Sequence, residues 1–343
     1  MKERSLSSAL LAAAAICAAG CANLARYDGR IEHVEFSNGP VRLVGILVEP
    51  NGSVGPFPAV VFVHGSGPST YDRPAWKAHA NVLTSRGLAV LVYNKRGSAP
   101  STGTLGTSDY EDLAQDVISG VRYLRGRRDI LPEKIGLFGR SEGGWVGPLA
   151  ALKLGDIAFV IMSSGAAVSP YEQTLYAVAV ELRDNGAPDT AIARALEVRK
   201  RVWDYYRRAA KDLRLANGAA RDSLNAALAS FAKYKLNEMP AAIARYDSAV
   251  YSASARMRFY DPLPALMRMN APLLAVLGEN DKSVEPRTTI AALEKLKRDE
   301  QKAITVRVYP GTDHTLISRK QIPPGYVRGY LQFLADWAAA HVR

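Results

Sequence analysis

The sequence predicts an α/β fold, built on a mostly parallel, doubly wound sheet that starts with an antiparallel hairpin and carries a helical cap insertion. Short apolar runs alternate with helical segments along most of the 343 residues, as expected of a parallel sheet with helices on both faces. The alternation stops at Ser169-Pro170 and resumes near Asp261-Pro262. Between these points, about 90 residues show helical spacing and no strand-like run, which predicts a cap of several helices.

The first predicted elements are two strands, 31–36 and 41–48, joined as a hairpin by the turn Asn38-Gly39-Pro40. Six further strands are predicted, mostly as continuous apolar runs: 59–63, 88–93, 134–138, 157–162, 273–277 and 303–309. Helices are predicted among and after these strands at 75–85, 108–125, 145–154, 286–297 and 325–340. The predicted domains are a core of residues 27–169 and 261–343 and a helical cap of residues 170–260, inserted after the sixth strand.

Composition and charge limit the classes of function. Hydrophobic residues make up 48% of the chain, which is ample for one large core with a subdomain. The net charge is +11, but the basic residues are scattered and no nucleic-acid-binding motif is present. The charge therefore predicts a solvated basic surface, and no nucleic acid is expected as a partner.

Residues 1–20 predict a signal peptide of the lipoprotein type. Lys2 and Arg4 precede an uncharged, Ala/Leu-rich stretch that is too short to span a bilayer. The end of this stretch, Ala18-Ala19-Gly20-Cys21, resembles the lipobox of bacterial lipoproteins, although leucine is usual where Ala18 stands. The prediction is a protein lipid-anchored at Cys21 in the bacterial envelope, at the outer membrane facing the periplasm. The alternative is a soluble periplasmic or secreted protein cut at the same small residues.

One pentapeptide, Gly139-Arg140-Ser141-Glu142-Gly143, stands between a predicted strand and a predicted helix. A serine flanked by glycines in this context predicts a nucleophile elbow, whose tight turn lifts the serine hydroxyl above the sheet edge. Gly139 and Gly143 are needed because side chains two residues on either side of the serine would collide. Ser141 is therefore the predicted nucleophile.

Five histidines are available as the base that such a serine needs. His314 directly follows the last predicted strand, at the edge where catalytic groups of such sheets gather, and is the predicted base. His64 ends an earlier strand and is predicted to shape the loop after it. The acid that holds the histidine tautomer is either Asp281 or Glu279, which both follow the seventh strand; Asp313 is disfavoured because it adjoins the histidine.

Two backbone amides are predicted to stabilise the oxyanion of a tetrahedral intermediate. One is the amide of Glu142, the residue after the nucleophile. The other lies in the loop 64–68, whose small residues let the backbone approach a substrate; Ser66 is the predicted donor and Gly67 the alternative.

The basic pair Lys95-Arg96 has two interpretations. It either ties its loop to Asp109 or Asp112, or it helps to bind an acidic substrate. The structural interpretation is favoured, because arginine is well suited to bidentate clamping of a carboxylate.

With these motifs in place, the chain resembles α/β-hydrolases of the bacterial carboxylesterase type. The resemblance rests on the His-Gly-Ser-Gly-Pro loop at 64–68, the pair Asp72-Arg73, the segment Lys95-Arg96-Gly97 and the elbow 139–144. It extends from about residue 31 to residue 342. The departures are Asn94, where the family usually has aspartate, and Ala99, where it has glycine.

The resemblance implies a serine esterase that works through an acyl-enzyme. The chain order of such enzymes selects Ser141, Asp281 and His314 as the triad, with Asp281 favoured over Glu279. It implies a small-molecule ester as substrate, with no metal and no organic cofactor. A thioesterase or peptidase with the same triad, and a non-catalytic binding lipoprotein on the same fold, are the alternatives. Nothing in the sequence indicates an oligomeric state.

Overall fold

An eight-stranded sheet forms the centre of the computed structural model, which describes residues 26–215, 218–318 and 325–343. The strand order is β1-β2-β4-β3-β5-β6-β7-β8; β1 and β2 pair antiparallel with their neighbours and the other pairs are parallel. The strands are β1 (Arg30–Asn38), β2 (Val41–Glu49), β3 (Phe57–Val63), β4 (Ala89–Tyr93), β5 (Ile130–Arg140), β6 (Val160–Ser163), β7 (Leu273–Gly278) and β8 (Ile304–Tyr309). The predicted fold class is confirmed.

Helices cover both faces of this sheet. Those outside the segment between β6 and β7 are α1 (Pro74–Thr84), α2 (Tyr110–Arg125), α3 (Gly143–Leu154), α9 (Pro286–Asp299) and α10 (Tyr330–Ala340). Apolar residues of α1 and α10 belong to one buried cluster, and those of α2, α3 and α9 to another. The sheet thus separates two hydrophobic layers.

Strand β3 shows why its sequence is apolar without interruption. Alternate residues point to opposite faces of a strand. Ala59 and Val61 belong to the cluster of α2 and α3, whereas Val60 and Phe62 belong to the cluster of α1 and α10. All four are fully buried. Each buried Val or Phe contributes about 1.5–3 kcal/mol, so both faces hold the strand that leads to the loop 64–68.

The segment between β6 and β7 is helical, and its described residues contain no strand. Its α-helices are α4 (Pro170–Asp184), α5 (Asp189–Lys211), α6 (Gly218–Ala229), α7 (Ser248–Arg258) and the short α8 (Leu263–Arg268). The segment starts abruptly because Ser169 and Glu172 form a capping box and Pro170 occupies the first turn. Residues of α4, α5, α6 and α7 form a third hydrophobic cluster, which includes Val178, Val202 and Leu224.

Several boundaries differ from those predicted. The last helix begins at Tyr330 rather than at residue 325, because Gly325–Tyr326 forms a short strand, β10, paired with β9 (Ile317–Ser318). Gly329 then has a φ of 83°, a left-handed conformation that separates the strand from the helix. Strand β5 is longer than predicted, because it starts at Ile130, whose partner in β3 is Phe57.

The N-terminal predictions lie outside the described residues. These are the signal peptide, 1–20, and the acylated residue, Cys21. Among the described residues, no helix combines the length and the apolar character needed to cross a membrane.

Arg96 anchors the loop between β4 and α2. Its side chain is 7% exposed and donates bidentately to Asp116, at 2.6 and 2.7 Å. It also donates to the carbonyl of Asp112 at 3.0 Å, whereas the Asp112 carboxylate lies 3.6 Å away. Of the two predicted partners, Asp109 is wrong: it caps α2 and pairs with Arg256. The main partner, Asp116, is one helical turn beyond Asp112, on the buried face of α2.

We predict that Arg96→Met strongly destabilises the fold. Asp116 is 1% exposed and, among the described residues, would keep only the Asn38 amide, at 2.8 Å, as a side-chain partner. Removing one member of a buried pair costs about 3–5 kcal/mol. Arg86→Met is the matched control, because Arg86 and Asp336 pair at the surface with 37% and 60% exposure, where pairs contribute about 0–1 kcal/mol. Urea unfolding measures the free energy of unfolding of both variants. Equal losses would contradict the assignment of Arg96 and Asp116 as a stabilising buried pair.

Candidate active site

Ser141 lies at a strained turn between β5 and α3. Its φ is 54°, in the left-handed region that non-glycine residues seldom adopt. A Cβ on Gly139 would lie 2.1 Å from the carbonyl oxygen of Gly143, and one on Gly143 would lie 2.4 Å from that of Val63. Glycine at both positions is therefore a steric requirement of this turn.

Three side chains predicted from the sequence form a continuous hydrogen-bonded chain. Nε2 of His314 lies 3.0 Å from Oγ of Ser141, and Nδ1 of His314 lies 2.8 Å from Oδ2 of Asp281. A carboxylate can only accept a hydrogen bond, so Nδ1 of His314 carries the proton that is donated to Asp281. In a neutral imidazole Nε2 is then unprotonated and can accept the serine proton. The His314 side chain is 22% exposed and that of Asp281 is fully buried.

Of the three candidate acids, Asp281 contacts the histidine. Its second oxygen, Oδ1, accepts from the amides of Ser283 and Val284, each at 2.8 Å. These bonds fix the carboxylate on the loop after β7. Glu279 instead accepts from the amide of Gly311 at 2.8 Å, and Asp313 accepts from that of Thr315 at 2.8 Å.

The amides of Ser66 and Glu142 lie on the two loops that flank the nucleophile. Neither amide donates to another group among the described residues. The side chains of the same two residues also meet, with Oγ of Ser66 3.3 Å from Oε2 of Glu142. Gly67, the alternative donor, has a φ of 76°, so the loop turns directly after Ser66. These two amides beside Ser141 can donate hydrogen bonds to an oxygen that develops negative charge.

Lys95 pairs with Glu142, a contact that sequence reasoning missed. Lys95 Nζ lies 2.6 Å from Oε1 of Glu142 and donates to the carbonyl of Gly65 at 2.9 Å; both side chains are almost fully buried. The predicted partners, Asp109 and Asp112, are therefore wrong for Lys95. The available signal was topological: strands β4 and β5 both pair with β3, so the loops that follow these three strands emerge side by side.

Two other histidines are buried and neutral near this edge. Nε2 of His64 donates to the carbonyl of Tyr93 at 2.5 Å, and burial, reinforced by Lys95, lowers the pKa of His64 to about 3. Burial lowers the pKa of His79 to about 4; its Nε2 lies 2.9 Å from the hydroxyl of Tyr330. Neither contacts Ser141.

The helical segment contacts the loop that carries Asp281. From α4, Tyr176 donates to the carbonyl of Asp281 at 2.9 Å, and Gln173 donates to that of Ser283 at 3.0 Å. Lys282 pairs with Asp184 at 2.6 Å. A cavity of about 510 Å³ opens beside this junction, lined by Tyr176, Asp281, Arg183 and Arg287 among others.

Among the described residues, one group of carboxylates is close enough to hold a metal ion. It comprises Glu32, Glu49 and Asp129. Arg127 already donates to both oxygens of Glu32, at 2.8 Å each, and to both of Asp129, at 2.8 and 2.7 Å. Arg30 pairs with Glu49, so the two guanidinium groups together offset most of the negative charge of this cluster.

Comparison with known proteins identifies the family of the chain. Residues 60–319 match the model described as the alpha/beta hydrolase family. The chain belongs to this family. The matched region runs from β3 to beyond His314, so it contains the elbow and all three side chains of the hydrogen-bonded chain.

Individual relatives of this alpha/beta hydrolase are distant. The chain is 27% identical over 297 residues to Esterase EstD of Thermotoga maritima, in a match that covers 83% of this chain but 61% of that protein. The solved Esterase Pf2001 of Pyrococcus furiosus is 17% identical, with a TM-score of 0.54 over 91% of this chain and 89% of that one. Est1E of Butyrivibrio proteoclasticus is 14% identical, with a TM-score of 0.55 over 90% and 96%. At these identities the two structures show a common fold.

The buried histidines predict a loss of stability in weak acid. Their pKa values are about 3 and 4 in the folded protein and about 6.5 when unfolded. Between these limits the unfolded state binds more protons, so the free energy of unfolding falls as pH drops from about 6.5, by up to about 1.4 kcal/mol per pH unit for each group. The free energy of unfolding, measured with urea between pH 7 and pH 4.5, should fall less steeply with decreasing pH in His79→Gln than in the wild type. Exposed His33→Gln is the control, and identical slopes for both variants would refute the assignment.

Proposed function

We propose that this protein is a serine hydrolase that cleaves carboxylic esters through an acyl-enzyme. The observation that carries the proposal is the bond chain from Ser141 through His314 to Asp281, next to two unbonded amides. Ser141 Oγ attacks the ester carbonyl while His314 Nε2 takes its proton. The buried Asp281 carboxylate stabilises the resulting imidazolium, and the amides of Ser66 and Glu142 stabilise the oxyanion.

The same groups complete the reaction. His314 returns the proton to the departing alcohol, which leaves Ser141 acylated. A water molecule then gives its proton to Nε2 and attacks the acyl carbonyl, and collapse of the second oxyanion releases the acid and free Ser141. The fixed Asp281 loop lets His314 serve both halves without moving.

The relatives support ester cleavage over the other chemistries of this family. The curated relative and one of the solved structures are each called an esterase. A thioesterase or peptidase would use the same triad, so a substrate panel has to separate these chemistries. The non-catalytic alternative is disfavoured because a binding protein has no need of a preformed bond chain to a strained serine.

We predict that Ser141→Ala abolishes hydrolysis of p-nitrophenyl esters and labelling by a fluorophosphonate probe. Asp281→Asn should lower kcat by about 10⁴-fold, because asparagine favours the wrong imidazole tautomer. Glu279→Gln is the matched control: it lies on the same loop but bonds to Gly311 instead of the histidine, so it should retain most of the activity. A Ser141→Ala variant with more than a few per cent of wild-type kcat would exclude the proposed nucleophile.

The same panel identifies the leaving group. Esters, thioesters and aminoacyl-anilides of one acyl chain should be compared at equal concentration, with ester cleavage expected to give the highest kcat/KM. Faster cleavage of the anilide would move the assignment to a peptidase.

We further propose that the enzyme is exported and anchored by acylation of Cys21. The support is the charged start, the short apolar stretch and Ala18-Ala19-Gly20 before the cysteine. Two or more acyl chains hold a protein stably at a membrane, where one chain binds marginally.

Acylation of Cys21 predicts that the protein partitions into the detergent phase. In a host that processes lipoproteins, the full-length chain should partition into detergent with a mass that includes acyl groups, and Cys21→Ser should remain in the aqueous phase. Cys17→Ser, within the leader, is the control. An unacylated mature protein in the wild type would identify a soluble exported enzyme instead.

A further inference from the structure

Arg199, on α5, is a buried cation that forms no ion pair among the described residues. Its relative exposure is 6%, and its Nε has no hydrogen-bond acceptor. The guanidinium stacks on the Trp203 ring, with Cζ 4.6 Å from the centroid. Trp203 is 1% exposed, and its indole Nε1 also lacks an acceptor among the described residues. Buried donors are normally satisfied, so these two donors, on neighbouring turns of one helix, are available to an acceptor that does not belong to the described residues.

A second cation, Arg258 on α7, stands near the first. Helix α7 packs against α5, and among the described residues Arg258 forms no ion pair. Burial is the main cause that lowers the pKa of Arg199 to about 10; repulsion from Arg258 adds to it, and Tyr206 and Glu238 act in the opposite direction. Two unpaired like charges disfavour each other, and an anion between them would remove that penalty.

Aromatic contacts connect these cations to the side of the nucleophile. Tyr110 packs between Trp145 of α3, at 5.6 Å, and Tyr260, at 5.2 Å. Burial and the nearby Glu142 raise the pKa of Tyr110, while Arg258 acts to lower it. The Tyr110 hydroxyl therefore interacts electrostatically with both Glu142, the residue next to Ser141, and Arg258 of α7.

A second set of contacts runs from the end of β6. Tyr171, the second residue of α4, lies 4.6 Å from Trp203 and 5.6 Å from Phe259, ring to ring. β6 ends beside the elbow, with Ser163 paired to Arg140, and Trp145 of α3 donates to the carbonyl of Val168, just before the helical segment, at 3.0 Å. The Arg199 stack thus lies one ring contact from Tyr171, at the start of that segment.

We propose that Arg199 and Arg258 form a subsite that binds a carboxylate of the substrate, at the end remote from the scissile ester. This inference rests on the proposed esterase function. A guanidinium binds a carboxylate bidentately and stays charged when desolvated, and the Trp203 indole adds a neutral donor. The substrates it predicts are half-esters of dicarboxylic acids and esters of similar charge.

The test compares two acyl groups of equal length. Mono-p-nitrophenyl glutarate carries the carboxylate, and p-nitrophenyl valerate is its uncharged counterpart. Wild-type enzyme should prefer the glutarate, and Arg199→Met and Arg258→Met should each reduce the ratio of the two kcat/KM values by about 10-fold or more. Arg201→Met is the control, since Arg201 is exposed on the same helix and has no ion pair among the described residues.

Two outcomes would overturn the subsite: a wild-type enzyme that favours valerate, or an unchanged ratio in the folded Arg258 variant. Arg258 is half-buried and unpaired, so its replacement keeps the test decisive if the Arg199 variant does not fold.

Binding separates failure of the subsite from failure of the esterase assignment. Calorimetry with glutarate should detect binding to the wild type and to Ser141→Ala, and a large loss of affinity in Arg258→Met. If glutarate binds in this way but no ester is cleaved, the subsite stands and the proposed function falls. Binding of inorganic phosphate without glutarate, or binding of neither, would refute a carboxylate site.

Discussion

The left-handed turn at Ser141 is the constraint that the rest of the site has to satisfy. Backbone strain of this kind persists where the surroundings hold it in place. Here the amide of Ser141 donates to the carbonyl of Ser163 at 2.9 Å, and the absent side chains of Gly139 and Gly143 allow the chain to double back. Ser141 is therefore positioned by packed backbone. The same turn starts α3, so it also orients the amide of Glu142.

The buried ion pair of Lys95 and Glu142 fixes the relative positions of three loops around that turn. It joins the loop after β4, the elbow after β5 and, through the carbonyl of Gly65, the loop after β3. A buried ion pair is weak evidence for stability, because desolvation offsets much of the attraction. Its value here is geometric, since it holds the two unbonded amides in fixed relation to Ser141. The sequence predicts Glu142 only as a backbone donor, whereas in the structure its carboxylate also pairs with Lys95.

The helical segment differs in character from the core beneath it. Its helices share a hydrophobic cluster of their own, and α4 reaches the acid loop through the bond from Tyr176 to Asp281. The fold of the core is common to many activities, so substrate choice has to come from what surrounds the site. The stack of Arg199 on Trp203 belongs to this segment, and among the described residues Arg199 Nε and Trp203 Nε1 have no acceptor.

The sequence by itself determined the sheet, the elbow and the order of the key residues. Apolar runs and helical spacing are local signals, and steric need marks Gly139 and Gly143 without knowledge of their neighbours. Only the family order favoured Asp281 over Glu279 in the sequence, because the two are chemically alike and two residues apart on one loop; the tertiary structure shows that Asp281 bonds to His314. Only it found the partners of Lys95 and Arg96, because ion pairs join residues that the strand order brings together across long stretches of chain. The lack of an ion pair at Arg199 among the described residues is likewise invisible in a sequence, since it depends on which acidic groups the fold places close to the guanidinium.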